Sequence, residues 1–270
     1  MTHALTDLRW GVADGLAIAR RNLAHVRQIP EQLIDVTLQP LLFVLLFAYV
    51  FGDSIAVPGG DYRSYVVVGI FVQTLTFSAG GTGGSMAEDL RSGIIDRFRA
   101  LPMTRSAVLV GRVLADLATT VVGLVVLSVA GLIVGWGIST SAGEAIAGYA
   151  LLLLFAFAMS WVGTLIGLSV RSPDAVMGVV MVILFPLSFV ANTYVVAGNL
   201  PGILQTIAEW NPISAVTAAV RELFGNAGAV PADPAWPLAH PLLASVLWCG
   251  AIIAVCAPLA VRRYRGAVAR

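Results

Sequence analysis

Six stretches of this chain hold no aspartate, glutamate or arginine: Val36 to Gly52, Ser64 to Ala87, Leu117 to Gly143, Ala145 to Val170, Ala175 to Ala208 and Pro234 to Val261. Each is continuous and apolar, and a hydrocarbon core about 30 Å thick is crossed by ~20 such residues in a helix. The fifth run is longer than one crossing needs. A membrane barrel would show short alternating strands instead, so these runs predict helices. Only 11% of the 270 residues are charged, where a soluble domain carries about a quarter. The fold class predicted is therefore all-α integral membrane, with six transmembrane helices.

The sixteen basic residues are all arginine, and their placement sets a topology. Arg9, Arg20, Arg21 and Arg27 precede the first span; Arg91, Arg97, Arg99, Arg105 and Arg112 separate the second and third; Arg171 lies between the fourth and fifth. Arg262, Arg263, Arg265 and Arg270 end the chain, and only Arg63 and Arg221 fall on the opposite side. The positive-inside rule then puts both termini in the cytoplasm of a multi-pass cell-membrane protein. Without lysine there is no Walker A loop, whose lysine holds the phosphates of ATP. Any ATP is hydrolysed on another chain.

The whole chain, 1–270, reads as one transmembrane domain. Over 1–32, Leu8, Val12, Leu16, Ala19, Leu23 and Val26 recur at threes and fours opposite Asp14, Arg21, His25 and Gln28. That pattern is an interfacial helix lying in the membrane surface, or a helix packed on another protein. The first two spans occupy 33–85, a charged helix 86–105, three further spans 106–192, external helices 193–236, the last span 237–261 and a basic tail 262–270. Cys249 and Cys256 share a face of the last span, about 10 Å apart along the helix, too far to bridge. They are packing residues.

The segment from Met86 to Arg112 is charged yet patterned. Met86, Leu90, Ile94, Phe98 and Leu101 form one apolar stripe, with Glu88, Asp89, Arg91, Asp96, Arg97 and Arg99 around it, and Pro102 stops the helix. A cytoplasmic helix with both charge signs suits docking into a groove on a soluble partner; lying on the headgroups is the alternative, although such helices are more uniformly basic. Just before it, Gly80, Gly81, Gly83 and Gly84 interrupt the second span, either as a bend or as a close helix contact. Gly163 and Gly167 in the fourth span permit close approach in the same way. Asp116 lies four residues after Arg112, where the two can pair on one helix face.

Beyond the fifth span, Leu200-Pro201-Gly202 opens a short helix to Glu209, Trp210-Asn211-Pro212 breaks it, and Asn211 can cap a second helix begun by Pro212. That second helix carries Arg221 and Glu222. Two short apolar helices with a break predict a re-entrant hairpin, buried against the other spans near the outer face.

Surface helix, two spans, charged cytoplasmic helix, three spans, external re-entrant hairpin and final span: this order resembles the permease subunit of type-2 ABC transporters. Ser92-Gly-Ile-Ile-Asp-Arg-Phe-Arg-Ala-Leu-Pro-Met-Thr-Arg-Ser106 resembles the coupling region of daunorubicin-resistance-type exporters, and Asn211-Pro-Ile-Ser214 with Arg221-Glu-Leu-Phe224 resembles their external motif. The resemblance implies two copies of the permease, a separate nucleotide-binding ATPase subunit carrying ATP and Mg, and export of amphipathic drugs or of lipids from a bacterial cell. It implies coupling through Glu88, Asp89, Arg91, Asp96, Arg97, Phe98 and Arg99, and an external motif at Asn211, Pro212, Arg221 and Glu222.

Tyr65, Phe71, Phe77, Phe185 and Phe189 are the aromatic candidates for a lipid-accessible substrate path, with packing as their plainer role. A passive channel would need polar rings lining a pore, and spans three, four and six are nearly bare of them. An intramembrane enzyme is disfavoured because no HExxH zinc pattern exists and His3, His25 and His240 are scattered. No catalytic residue, metal, resident cofactor or nucleic-acid partner is expected on this chain.

Overall fold

The computed structural model describes residues 30–52, 60–92, 105–194, 196–228 and 234–267. The expected interfacial helix before residue 30, and Asp96, Arg97, Phe98 and Arg99, lie outside these residues. The described part contains helices and connecting turns and no strand. In order they are α1 (Pro30–Val50), α2 (Tyr62–Arg91), α3 (Arg105–Val134), α4 (Ala142–Gly167), α5 (Pro173–Val190), a 3-10 turn (Ala197–Asn199), α6 (Gly202–Glu209), α7 (Pro212–Phe224), α8 (Trp236–Ala239) and α9 (Pro241–Ala267).

Five of these contain stretches long and apolar enough to cross a membrane: Tyr62–Arg91, Asp116–Val134, Ala142–Gly167, Pro173–Val190 and Pro241–Tyr264. In α1 the described apolar piece is Leu38–Val50.

Local chemistry starts these helices. Asp61 caps α2 by accepting from the Ser64 amide at 3.1 Å. Ser141 and Glu144 form a reciprocal capping box at the start of α4, satisfying amides that the helix itself leaves unpaired. Ser172 caps α5 and Pro173 occupies its first turn, where the missing amide costs nothing.

The central helix is α2. Val66, Val67, Val68, Ile70, Phe71, Val72, Leu75 and Ala79 are all buried, and α2 packs most extensively on α4 and then on α5. Its thirty residues span about 45 Å at 1.5 Å per residue. The helix runs unbroken through the glycines at 80, 81, 83 and 84. Gly83, Gly163 and Gly167 instead bring the α2 and α4 backbones into contact. A Cβ on Gly163 would run into the Ala79 carbonyl oxygen, one on Gly167 into the Gly83 carbonyl oxygen, and one on Gly83 would lie 2.7 Å from the Gly163 oxygen. Small residues of this kind let membrane helices approach closely and gain van der Waals contact.

The sequence places the end of the second span near Ala87 and a separate charged helix from Met86. The structure joins the two through Arg91. No proline or glycine follows Gly84 within α2 to break it, and the buried face simply continues. Met86 and Leu90, the first two positions of the apolar stripe, pack inside the chain against Val113, Trp161, Leu168, Ala260 and Tyr264.

The outer faces are apolar. Leu38, Leu42 and Leu46 of α1 and Met181, Val182 and Ile183 of α5 are exposed, as lipid-facing or partner-facing helices require. Cys249 is buried and Cys256 half-buried, both as free thiols.

The glycine contact sets a test. Gly163→Val overpacks a backbone-to-backbone contact and is expected to destabilise the detergent-purified protein by about 3 kcal/mol. Gly81→Ala, whose added methyl meets open space, is expected to be neutral or stabilising by up to ~1 kcal/mol. Thermal unfolding of the two variants side by side distinguishes the positions; equal midpoints would remove the close-contact account.

Candidate functional site

Three places carry the polar, aromatic and charged residues that packing alone does not explain. The first is where α7 meets the bundle. Its N-terminus is set by Asn211, whose Oδ1 accepts from the Ile213 amide at 2.9 Å while its Nδ2 donates to the Leu187 carbonyl at 2.7 Å. One side chain thus caps α7 and satisfies a carbonyl in the last turn of α5. Pro212 fills the first turn of α7. The Asn192 amide donates to Ser214 Oγ at 3.0 Å, fixing the chain beyond α5 on α7.

At the other end of α7 stands Arg221, only 2% exposed. Its Nε donates to the Tyr65 carbonyl at 3.0 Å, one terminal nitrogen to the Asn192 carbonyl at 2.7 Å and the other to the Thr193 carbonyl at 2.8 Å. The guanidinium carbon sits 3.2 Å from the centre of the Tyr65 ring, a stacked cation–π contact. Tyr65 Oη donates to the same Asn192 carbonyl at 3.0 Å. Gly69 makes room for this arrangement, because a Cβ there would strike the Thr193 carbonyl oxygen. No carboxylate among the described residues pairs with Arg221. Its charge is met by main-chain dipoles, the arrangement expected where a buried cation holds broken backbone together.

The end of α7 is closed by Gly225 at φ 73°, a left-handed conformation suited to glycine, with the Asn226 amide returning to the Arg221 carbonyl at 2.8 Å. The turn between α3 and α4 takes up the remaining carbonyls. The Ser139 amide donates to Phe224 at 3.0 Å, and Thr140 Oγ1 donates to Leu223 at 2.6 Å. Trp136 Nε1 donates to Asn226 Oδ1 at 2.8 Å, and Asn226 Nδ2 to the Gly137 carbonyl at 3.0 Å. Beneath, Phe224 meets the rings of Phe71, Trp136 and Tyr149. Glu222, next to Arg221, points out and is exposed.

The second place is a run of rings. Phe77 on α2 faces Phe185 on α5 at 6.3 Å; Phe185 meets Phe189 at 4.4 Å; Phe189 meets Tyr194 at 5.4 Å; Tyr194 stacks on Phe47 of α1 at 4.3 Å. Phe185 and Phe189 are 42% and 43% exposed. Burial pushes the Tyr194 phenol above its ordinary pKa, so this run stays uncharged. The five aromatic candidates therefore separate: Phe77, Phe185 and Phe189 form one half-exposed run, whereas Phe71 is enclosed in the core and Tyr65 is stacked under Arg221.

The third is the charged end of α2. Glu88 and Arg91 are exposed and Asp89 is half-buried. One helical turn or two before them, Thr82 Oγ1 donates to Asp116 Oδ2 at 2.8 Å, tying α2 to α3. The Arg112 side chain, the expected partner of Asp116, is outside the description.

Sequence reasoning named Asn211, Pro212 and Arg221 but missed Gly69, Ser139, Thr140 and Asn226. Gly69 left a trace, a lone glycine within Val-Val-Val-Gly-Ile-Phe, where a strongly apolar helix has no turn to make.

A bundle of apolar helices, a helical break sewn to the bundle by asparagine and arginine, and a charged helix end together describe a membrane transport domain. The chain belongs to the ABC-2 type transporter family, whose model matches residues 15–224. It is 34% identical over 246 residues, covering 91% of this chain and 83% of the relative, to the daunorubicin resistance ABC transporter permease protein DrrB1 of Streptomyces coeruleorubidus. It is 24% identical over 213 residues, covering 76% and 73%, to the doxorubicin resistance ABC transporter permease protein DrrB of Mycobacterium tuberculosis. The probable doxorubicin resistance permease DrrC of that organism is 26% identical over 256 residues, covering 93% and 88%.

Arg221→Lys replaces a planar fork with a single nitrogen that cannot span three carbonyls. It is expected to cost about 3 kcal/mol of stability, read as a lowered unfolding midpoint. The exposed Glu222→Gln is expected to stay within about 0.5 kcal/mol of the parent.

Proposed function

We propose that this chain is the membrane permease subunit of an ATP-driven exporter of amphipathic drugs or lipids. The observation that carries the reading is α2: one unbroken helix bears exposed charge at Glu88 and Arg91, the half-exposed Phe77 in its middle, and Tyr65 and Gly69 of the Arg221 cluster at its far end. A push at the charged end is transmitted along a rigid element to both other places. The family and its drug-resistance relatives support the same assignment.

In this reading α1 is the first of six crossings, both termini face the cytoplasm, and α6 and α7 form a re-entrant hairpin at the external face. The arginines support that orientation: among the described residues, Arg63 and Arg221 lie toward one end of the bundle, while Arg91, Arg105, Arg112, Arg171, Arg262 and Arg263 lie toward the other. A separate ATPase, holding ATP and Mg, docks on Glu88, Asp89 and Arg91 and on the following Asp96, Arg97, Phe98 and Arg99. Phe98 is the apolar anchor and the charges fix orientation. A second copy of the permease completes the transporter, and Phe77, Phe185 and Phe189 offer flat, uncharged surface to an aromatic or lipid-like cargo. Lipid or glycolipid export by the same route is the second reading, favoured by the membrane-facing exposure of Phe185 and Phe189.

Co-expression with its ATPase and vesicle transport of an anthracycline tests the assignment. Transport is expected only with ATP, and transport without any ATPase would make the chain a passive facilitator instead. Phe98→Ala and Asp96→Arg are expected to abolish both ATPase co-purification and export while leaving membrane insertion intact. Phe185→Ala with Phe189→Ala is expected to lower export about tenfold with co-purification unchanged.

A further inference from the structure

The central helix carries one polar side chain that the hydrogen bonding of the chain does not account for. Gln73 lies in the middle of α2 and is only 5% exposed. Its amide group forms no hydrogen bond among the described residues. Thr76, one turn away, turns its hydroxyl back to the Val72 carbonyl, a solution that Gln73 does not use. Nor is the amide sealed in: the enclosed side-chain oxygens without partners are those of Tyr62, Asn192, Thr193 and Tyr194, and Gln73 is not among them. An unpartnered amide at membrane depth is costly to keep unless something pairs with it.

The register of α2 fixes where this amide stands. A Cβ on Gly69, four residues earlier, would strike the Thr193 carbonyl oxygen, and one on Gly80, seven residues later, would meet Met177 and Val180 of α5. Phe77, four residues later, faces Phe185 of α5 at 6.3 Å. Helical residues four apart share a face, offset by about 40°. Gln73 is bracketed by these three positions and so lies on the stripe of α2 that looks toward α5. The partners descend from Thr193 through Phe185 to Val180 as α2 climbs from Gly69 through Phe77 to Gly80. That antiparallel order puts Gln73 between Phe185 and Thr193, level with Phe189. Gln73 therefore brings a polar group to the half-exposed rings, in a run whose own hydroxyl, on Tyr194, is sealed. Two N–H donors and a carbonyl acceptor address a neutral oxygen, and no cation stands at this level of the stripe to receive an anion.

We propose that Gln73 is a specificity-determining residue of the transport route: its amide hydrogen-bonds a carbonyl or hydroxyl oxygen at the edge of a cargo whose flat apolar part lies on Phe77, Phe185 and Phe189. The inference rests on the export reading given above and names what that route selects, ring systems edged with neutral oxygens over plain hydrocarbons of the same shape. A site that offers a hydrogen bond discriminates against an analogue lacking the partner group, because its own polar group is then left unpaired.

The full-length chain, purified in non-ionic detergent and immobilised, is to be equilibrated with anthraquinone or with anthracene, which share one flat frame and differ in two carbonyl oxygens. Corrected for partition into empty micelles, the parent is expected to retain anthraquinone about tenfold better than anthracene. Gln73→Met keeps the length of the side chain without its amide and is expected to bring the two to parity. Its unfolding midpoint is expected to equal or exceed that of the parent, since a buried amide without a partner is exchanged for an apolar group. Gln73→Asn keeps the amide but draws it back by one methylene, and its preference is expected to fall between the other two. The absence of a preference in the parent, a preference kept by Gln73→Met, or a lowered midpoint in Gln73→Met, which would show the amide to be paired inside the protein, would each overturn the proposal. Retention needs neither ATP nor an ATPase. A lost preference with ATP-dependent export intact removes the role of Gln73 alone, whereas a preference without export leaves that role standing and removes the permease assignment.

Discussion

In a hydrocarbon surrounding, every main-chain N–H and C=O must find its partner within the protein, and in the proposed re-entrant arrangement the break between α6 and α7 falls under that rule. Each unpartnered group there would cost several kcal/mol. Two side chains, Arg221 and Thr140, take up carbonyls of the stretch after α5 and of the end of α7, and Asn211 adds a second donor to the Leu187 carbonyl, which also accepts from the Ala191 amide. The Ser139 amide takes another. α7 is seated by these donors, and the donors are held in place by its burial. Removing any one exposes the rest, so the cluster behaves as a unit.

The contact between α2 and α4 works by a different principle. It has no polar glue; it depends on having nothing between two backbones at Gly83, Gly163 and Gly167. Away from these glycines the two helices interlock through side chains, Met86 and Leu90 with Trp161 among them. In the proposed transport cycle α2 and α4, held backbone to backbone, move together as a body. The Arg221 cluster then acts as the far bearing, anchoring the Tyr65 end of α2 while force enters at Glu88 and Arg91.

Legibility in the sequence followed the range of the forces involved. Apolar runs and their arginine flanks are local, one-dimensional signals, and five of the expected crossings appear as helices with stretches long and apolar enough to span a membrane. The start of α7 at Asn211-Pro212 was equally legible, since cap and first-turn proline are adjacent in sequence. The role of Arg221 was not, because its carbonyl partners lie 28, 29 and 156 residues away and a main-chain carbonyl has no letter of its own. The stripe of Met86 and Leu90 was legible as a stripe but not as to which surface it covers. Periodicity gives a face, and only tertiary packing says whether that face meets its own bundle or another protein. The five aromatics show the same limit: identical residue types divide between core and surface.

Placement of the polar side chains bears on the proposed export of amphiphiles. A polar pore needs uncommitted donors and acceptors strung along its length. Among the described residues several buried hydroxyls within the helices are turned back onto their own backbones, Thr76 to Val72, Thr164 to Ser160, Thr217 to Ile213 and Ser245 to Pro241, while Thr82 bonds Asp116 and Ser214 accepts from the Asn192 amide. The buried side-chain oxygens without partners, on Tyr62, Asn192, Thr193 and Tyr194, gather at the Arg221 end instead of crossing the bundle. Between the Arg221 end and the Thr82–Asp116 bond at the other, a hydrated ion would meet chiefly apolar packing, the buried Gln73 and the uncharged rings of Phe77, Phe185 and Phe189. An amphiphile asks for an apolar route, and the half-exposed rings of Phe77, Phe185 and Phe189 fit the export proposed above.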